Sequence, residues 1–336
     1  MTAAEPDGDR SRDWPAIWRG EAWRAEATAW IEAELGRAAY RITGAIDQPR
    51  VRFWSTQLTV PTDRGRVWFK ENNPAQSFEA RLVDVLARLV PERVVTPIAI
   101  EPDRGWMLSQ DQGATLREAA TEGGDGWSRV LAEFGALQRE LVPHRDDVLA
   151  AGLTRMSVAE TPAYVERRLG ELASLPAENL RSVGVEEAAA ARAALPALVE
   201  ACRELAASGI PESLQHNDLH DGNAFAGQPG RPLTFFDFGD ALWSHPLAVV
   251  SVPVMSMCAS LKASDDDPRV ARAVDAYVEN WTDVSPLRAV RALLPAAKRV
   301  AAVHRAVSWR RLLDDVPLAV VEPEWQDAES WYIRQA

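Results

Sequence analysis

Lysine is almost missing from this chain of 336 residues. Only Lys70, Lys262 and Lys298 occur, so nearly all of the 37 basic residues are arginine. Chemistry that needs a compact ammonium therefore has three candidates. Basic residues are also outnumbered by 49 acidic ones, for a formal net charge of −12. That deficit argues against a protein that neutralises nucleic-acid phosphates or docks on an anionic membrane. It leaves cationic small molecules as attractive partners. Cys202 and Cys258 are the only cysteines and form no CxxC, too few for a disulfide framework, so a reducing cytoplasm is expected. Near the start, Glu5, Asp7 and Asp9 occupy the place where a secretory signal would need an apolar run. The longest apolar stretch, Leu247 to Leu261, is broken by Pro253 and three serines and is too short to span a bilayer. No lysine follows a glycine, which removes the G-x-x-x-x-G-K-[ST] phosphate loop and with it the P-loop NTPases.

What remains, with 47% hydrophobic and 26% charged residues, is a folding globular chain long enough for one large domain or two smaller ones. Residues 1–12 read as a flexible polar tail. Asp13 before Trp14-Pro15 caps a helix, and Ile17, Trp18, Trp23, Trp30, Ile31 and Leu35 extend its apolar face over 14–38. Short runs of β-branched and aromatic residues at 51–54, 57–60 and 66–70 predict an antiparallel meander with a turn at 61–65. Ser77 caps a helix over 78–90, and strands follow at 94–100 and 106–110 around a turn at 102–105. Beyond Gly113 the pattern predicts helices at 128–142, 162–174, 186–208, 246–262, 268–281 and 285–314, with a strand-and-loop region at 213–240. Residues 122–126 read as a flexible turn, and Asp265-Asp-Asp267 as a helix start. The expected class is α+β: an N-terminal lobe over 13–111 with a five-stranded antiparallel sheet, and a larger, mainly helical C-terminal lobe over 112–336.

The chemistry gathers in that loop region. His216, Asp218, Leu219 and Asn223 stand in the register H-x-D-L-x-x-x-N, and Asp237-Phe238-Gly239 follows shortly after. Together they are two parts of the protein-kinase signature, in order. Phosphoryl transfer needs a carboxylate at the substrate hydroxyl and oxygen ligands for Mg²⁺ on the phosphates. Asp218 suits the first role; Asn223 and Asp237, hard oxygen donors, suit the second. Two other readings stand beside this one. His216, Asp218, His220 and Asp221 could ligate a transition metal in a hydrolase, or the loop could be acidic without chemistry.

The remaining kinase parts test the idea. Lys70 ends the third strand, where a lysine should meet the α- and β-phosphates, and Glu79 opens the next helix, where a glutamate should pair with it. Backbone groups of Ser109 and Asp111, after the fifth strand, would read an adenine edge. Ser55 and Thr56, at the turn between the first two strands, would lie over the phosphates. Between Gly239 and Pro246 there is no room for a peptide-docking activation segment, and no A-P-E follows. Asn217 replaces the arginine that precedes the catalytic aspartate in a phosphorylation-controlled kinase. A small-molecule kinase is expected, with a nucleotide-binding pseudokinase acting as a regulatory module as the rival.

In His216-Asn-Asp-Leu-His-Asp-Gly-Asn223, Phe236-Asp-Phe-Gly-Asp240, Lys70, Glu79 and Leu108-Ser109 the chain resembles the aminoglycoside phosphotransferase family, which is related to choline kinases. The resemblance runs over roughly residues 40 to 320, and its departure is Asn217, where the family has glycine. It implies the bilobal protein-kinase-like fold, use of ATP and Mg²⁺, and transfer to a hydroxyl of an aminoglycoside, amino sugar or amino alcohol. His216 is expected to pack under the Asp237 loop, and His220 and Asp240 to lie behind the reacting groups. Asp314, Asp315, Glu322, Glu324, Asp327 and Glu329, with Trp325 and Trp331, form either a surface for a cationic acceptor or a solvated face anchored by tryptophan.

Overall fold

The computed structural model describes residues 12–119, 126–227 and 230–336. The expected tail, except Arg12, and residues 122–125 of the expected turn lie outside them. Two units form: one holds the described residues up to Ala80, Pro97–Asp111 and Trp309–Gln326; the other holds Arg81–Thr96, Gln112–Ser308 and Asp327–Ala336.

In the first unit, Asp13 caps α1 (Trp14–Arg19) by accepting from the Ala16 N–H at 2.9 Å. The single helix expected over 14–38 is instead two, α1 and α2 (Glu21–Arg37), because Gly20 adopts extended backbone at ψ 144°. The apolar spacing survives the break, so Trp18, Trp23, Ile31 and Leu35 all remain buried. The strands are β1 (Asp47–Val51), β2 (Ser55–Thr62) and β3 (Gly65–Asn72), followed by α3 (Phe78–Leu89, which this unit shares up to Ala80), β4 (Pro97–Glu101) and β5 (Trp106–Gln110). They form one antiparallel sheet in the order β1-β2-β3-β5-β4. The first strand lies four residues earlier than the 51–54 run suggested. Phe53 is buried in the β1–β2 connection and takes no part in a strand.

The strand period of two sorts the residues of β3. Val67 and Phe69 join Leu58, Val60, Trp106 and Leu108 in the core beneath α1 and α2. Glu71 shares that face and is buried. Its carboxylate accepts from the indole N–H groups of Trp23 and Trp106, each at 2.6 Å. Burial pushes the Glu71 carboxyl above its ordinary range, against the pull of those indoles. Lys70 and Asn72 take the opposite face, which is the face that meets Glu79 of α3. Gly105, before β5, is held at φ +68°, and a Cβ there would lie 2.8 Å from the Ser77 backbone.

The second unit contains α4 (Leu116–Ala119), α5 (Gly126–Leu141), α6 (Arg145–Ala150), α7 (Thr161–Ala173) and α8 (Val185–Ala207). Short strands follow: β6 (Ser213–Gln215), β7 (Ala224–Phe225), β8 (Thr234–Phe235) and β9 (Leu242–Ser244). The rest is α9 (Ser251–Leu261), α10 (Pro268–Val278), α11 (Leu287–Ala292), α12 (Leu294–Asp314, which this unit shares up to Ser308) and α13 (Ala328–Ile333). Asp267 caps α10 through the Arg269 N–H at 2.8 Å. Leu293 separates the helix expected over 285–314 into α11 and α12. Gln138 of α5 donates to Leu214 O and accepts from the Tyr277 hydroxyl, both at 2.7 Å, joining α5, β6 and α10. Among the described residues, no helix is long and apolar enough to cross a membrane.

Two buried polar features set expectations for stability. Glu329 of α13 is fully buried between Arg168, which grips both its oxygens, and Arg181 at 2.7 Å. Glu329→Ala removes the buried carboxylate that Arg168 and Arg181 share, with Glu171 still 2.5 Å from Arg168, and should cost about 3 kcal/mol, read as a lower urea midpoint. A midpoint equal to that of the parent would contradict the burial of this triad.

His245 and His304 are buried, and burial holds their pKa values at about 4 and about 3, below the usual 6.5. Both rings are therefore neutral in the fold while the unfolded chain takes up protons below about pH 6.5. The stability that this difference contributes is complete above pH 6.5 and is lost as pH falls towards 4. His245→Gln should flatten that acid slope in denaturation curves between pH 6.5 and 4. An unchanged slope would mean that the His245 ring is hydrated.

Candidate functional site

Lys70 and Glu79 lie in the first unit and meet directly. The Lys70 Nζ is 2.9 and 2.7 Å from the two Glu79 oxygens, and the Asn72 amide donates to the same carboxylate. Glu79 is only 2% exposed and Lys70 14%, so the pair is withdrawn from water and held by full hydrogen bonding. Strand alternation aims Lys70 at α3, and the turn through Pro74–Gln76 brings Glu79 back to it.

The other nucleotide candidates are less open. Ser55 and Thr56 begin β2 instead of occupying a turn, and both are buried. The Thr56 hydroxyl donates to Arg50 O at 3.1 Å and receives the Gln48 amide at 2.9 Å, so it is committed to the sheet. Ser109 lies on β5 opposite Trp68 and Pro97. The Asp111 N–H donates to Arg66 O at 3.0 Å, and its carboxylate is 3.6 Å from the Arg66 guanidinium. That N–H is therefore engaged at the end of the sheet.

The second unit gathers the acidic loops. The β7–β8 ladder pairs Ala224 with Phe235, and the Phe236 N–H continues it by donating to Asn223 O at 3.2 Å. The register thus sets Asn223 beside Phe236 and brings Asp237 next to the 218–223 loop. Within that loop the Asn223 amide donates to the Asp218 carbonyl at 2.9 Å. Its amide nitrogen being used in this way, the oxygen is the atom that remains for a cation.

Two residues that are not glycine occupy left-handed backbone here, Asn217 at φ +64° and Asp237 at φ +65°. Asn and Asp tolerate that region best among such residues, at a cost of about 1–2 kcal/mol. Asn217 therefore satisfies the same turn that a glycine would. Its side chain adds bonds that glycine lacks, donating to His304 O at 2.9 Å and Asp240 O at 3.3 Å.

His216 lies beneath Asp237: Nε2 donates to Phe236 O at 2.9 Å, and its ring contacts Phe134 and Phe238. Burial holds it below its usual pKa, against the pull of Asp218, so it is neutral. His220 accepts at Nδ1 from the Gly222 N–H at 3.0 Å and from Arg117 at 3.2 Å. Two donors at Nδ1 assign the ring proton to Nε2, which is 3.7 Å from an Asp218 oxygen. Burial lowers the His220 pKa as well, with Asp218 opposing and Arg117 adding to the shift. Asp240 accepts from the Ser308 hydroxyl and from Arg305 at 3.3 Å.

The Asp218 side chain keeps 34% of its exposure, more than His220 or Asp240. Burial of the remainder pushes its carboxyl up from the ordinary range. Arg305 opposes that shift, and Asp240 adds to it. Arg305 is absent from the sequence reading, as is Ser308: they stand three residues apart on one face of α12, and no local motif marks them. His216 and His220 each spend one ring nitrogen on structure, on Phe236 O and on Gly222 with Arg117. Among the described residues no group of three or more His, Cys, Asp or Glu side chains is arranged to hold a metal ion. For Mg²⁺, by contrast, the hard oxygen donors Asn223 and Asp237 fit.

Part of the acidic C-terminal segment is spent on structure, while Glu324, Asp327, Trp325 and Trp331 are exposed. Glu322 pairs with Arg52 at 3.2 Å, Asp314 with Arg310 at 3.2 Å, and Glu329 with the two arginines already described. Trp325 stacks on Trp309 with ring centroids 5.1 Å apart, and Trp331 lies edge-on to Tyr332.

Comparison with known proteins follows the same lines. No curated protein matches the chain. Among solved structures it is similar to a macrolide 2'-phosphotransferase type I, with a TM-score of 0.54 and 15% identity over 90% of this chain and 96% of that one. It is also similar to an ethanolamine kinase of Plasmodium vivax, with a TM-score of 0.57 and 11% identity over 92% and 88% of the two chains. A third is an amicoumacin kinase in complex with AMP-PNP, Ca²⁺ and Ami, with a TM-score of 0.55 and 13% identity over 91% and 95%. These likenesses establish the kinase-like small-molecule kinase fold. The profile of the phosphotransferase enzyme family matches residues 62–293, more than half of the chain, and the protein belongs to that family.

Proposed function

We propose that the protein transfers the γ-phosphoryl group of ATP, with Mg²⁺, to a hydroxyl of a small amine-bearing molecule. The observation that carries this reading is the loop pair in the second unit, where one hairpin register draws Asp218, Asn223 and Asp237 together. The completed Lys70–Glu79 pair at 2.7 Å supports it. Lys70, held by Glu79, positions the phosphates, and backbone groups near Ser109 meet the base. Asn223 and Asp237 would hold the metal, which when bound offsets charge on the phosphates. Asp218 orients the acceptor hydroxyl and takes its proton as the acceptor oxygen bonds to phosphorus. The bond from that phosphorus to the bridging oxygen breaks, and ADP leaves. His220, with its proton on Nε2, faces Asp218 without competing for the acceptor proton.

Similar structures named for macrolide, ethanolamine, choline and amicoumacin chemistry support a small alcohol as acceptor. The net charge of −12 suits an acceptor that carries an ammonium. Two free cysteines and the need for ATP support a cytoplasmic setting. Coupled ADP release against a panel of aminoglycosides, amino sugars and amino alcohols would identify the acceptor.

Two substitutions separate the assigned roles. Asp218→Ala should lower turnover by about 10²–10⁴-fold while calorimetry finds Mg·ATP affinity within a few-fold of the parent. Retention of most turnover would remove Asp218 as the base. Asp237→Ala should instead abolish the difference between ATP binding with and without Mg²⁺. A persistent metal dependence would place the ion elsewhere.

A further inference from the structure

The acidic loops of the second unit converge on one basic side chain that the proposed reaction has not used. Arg305, on α12, is 12% exposed, and its Nη1 reaches three oxygens. These are Asn217 O at 2.7 Å, an Asp240 oxygen at 3.3 Å and an Asp218 oxygen at 3.5 Å. It lies 5.6 Å from the ring of Tyr332 on α13. The Asn217 carbonyl belongs to the peptide that leads from the left-handed turn into Asp218, so one guanidinium touches both the backbone and the carboxylate of the proposed base. Ser308, one turn further along α12, fixes Asp240 from the same face.

We propose that Arg305 is a positioning residue for phosphoryl transfer, holding the Asn217–Asp218 peptide and one Asp218 oxygen so that the other oxygen is presented to the acceptor hydroxyl. The physical need is plain. Asp218 and Asp240 are like charges drawn into one partly dry region, and without a cation between them each would be driven from the other or neutralised. A lysine at 305 would supply the charge as a point. Its shorter reach and freely rotating ammonium would hold the carbonyl and the two carboxylates less firmly than the longer, planar guanidinium does. Arg305 meets the backbone and the carboxylate of the proposed base, so its effect falls on the acceptor half of the reaction.

The proposal rests on the phosphotransferase reading, and its test keeps the two apart. The probes are Mg·AMP-PNP for binding and the slow Mg·ATP hydrolysis in which water takes the place of the acceptor. Arg305→Met should lower hydrolysis at least tenfold and leave the AMP-PNP dissociation constant within twofold. Arg305→Lys, which keeps the charge and spares the fold, should recover part of the loss. In an Asp218→Asn background, Arg305→Met should change the residual rate by less than twofold, because the side chain that it positions is already disabled. Full hydrolysis by both Arg305 variants would overturn the proposal. So would an equal fractional loss in the Asp218→Asn background, or a parallel loss of AMP-PNP binding. If the parent protein bound no Mg·AMP-PNP, or Asp218→Asn hydrolysed ATP at the full rate, the phosphotransferase reading itself would fall, and this proposal with it. Arg305 variants at full rate alongside an inactive Asp218→Asn would overturn only the inference about Arg305.

Discussion

Bringing carboxylates close to one another, partly out of water, is costly unless cations and hydrogen bonds are built in alongside them. That constraint shapes the acidic site of this protein. The two-residue ladder of β7 and β8 draws Asn223 to Phe236, which forces Asp237 and Asp240 into the neighbourhood of Asp218. Arg305 meets the charge that results, and Asn217, His304 and Ser308 tie the loops to α12. The same principle recurs in the Lys70–Glu79 pair and in the grip of Arg168 and Arg181 on Glu329.

The cost of the arrangement appears in the backbone. Asn217 and Asp237 occupy left-handed conformations that most side chains avoid, in the two loops that carry the proposed chemistry. Each strained turn is held from several directions: Asn217 through its amide and its carbonyl, and the Asp237 turn through the His216 ring beneath Phe236. Rigid support of this kind keeps the Asp218 carboxylate partly exposed while its surroundings are fixed, which suits a group that must meet an outside substrate.

The sequence marks much of the candidate site because its proposed parts are local. The run from His216 to Asn223 and the Asp237-Phe-Gly triplet are contiguous, and Lys70 stood out through the scarcity of lysine and its place at the end of an expected strand, which in the fold runs on to Asn72. Strand parity then assigns Lys70 to one face and Glu71 to the other. Arg305 was illegible for the opposite reason: it lies 88 residues from Asn217, on a helix rich in arginine, with nothing to set it apart. Thr56 misled because a hydroxyl near a turn looks available, whereas its register in β2 turns it into the sheet. The apolar run at 51–54 suggested a strand, but Phe53 is buried in a bend and the ladder forms earlier, at Asp47–Val51. Gly20 broke one expected helix without disturbing its apolar stripe, which is why spacing alone hid the break.

A phosphotransferase of this kind makes a phosphorus–oxygen bond to an alcohol. The most direct measurement is phosphorus NMR of purified protein incubated with Mg·ATP and the panel of amine-bearing alcohols. A new phosphomonoester resonance should grow in step with ADP for at least one acceptor and be absent with the Asp218→Ala variant. ATP left intact across the panel, or converted only to ADP and inorganic phosphate at a rate that no acceptor changes, would contradict the phosphotransferase reading.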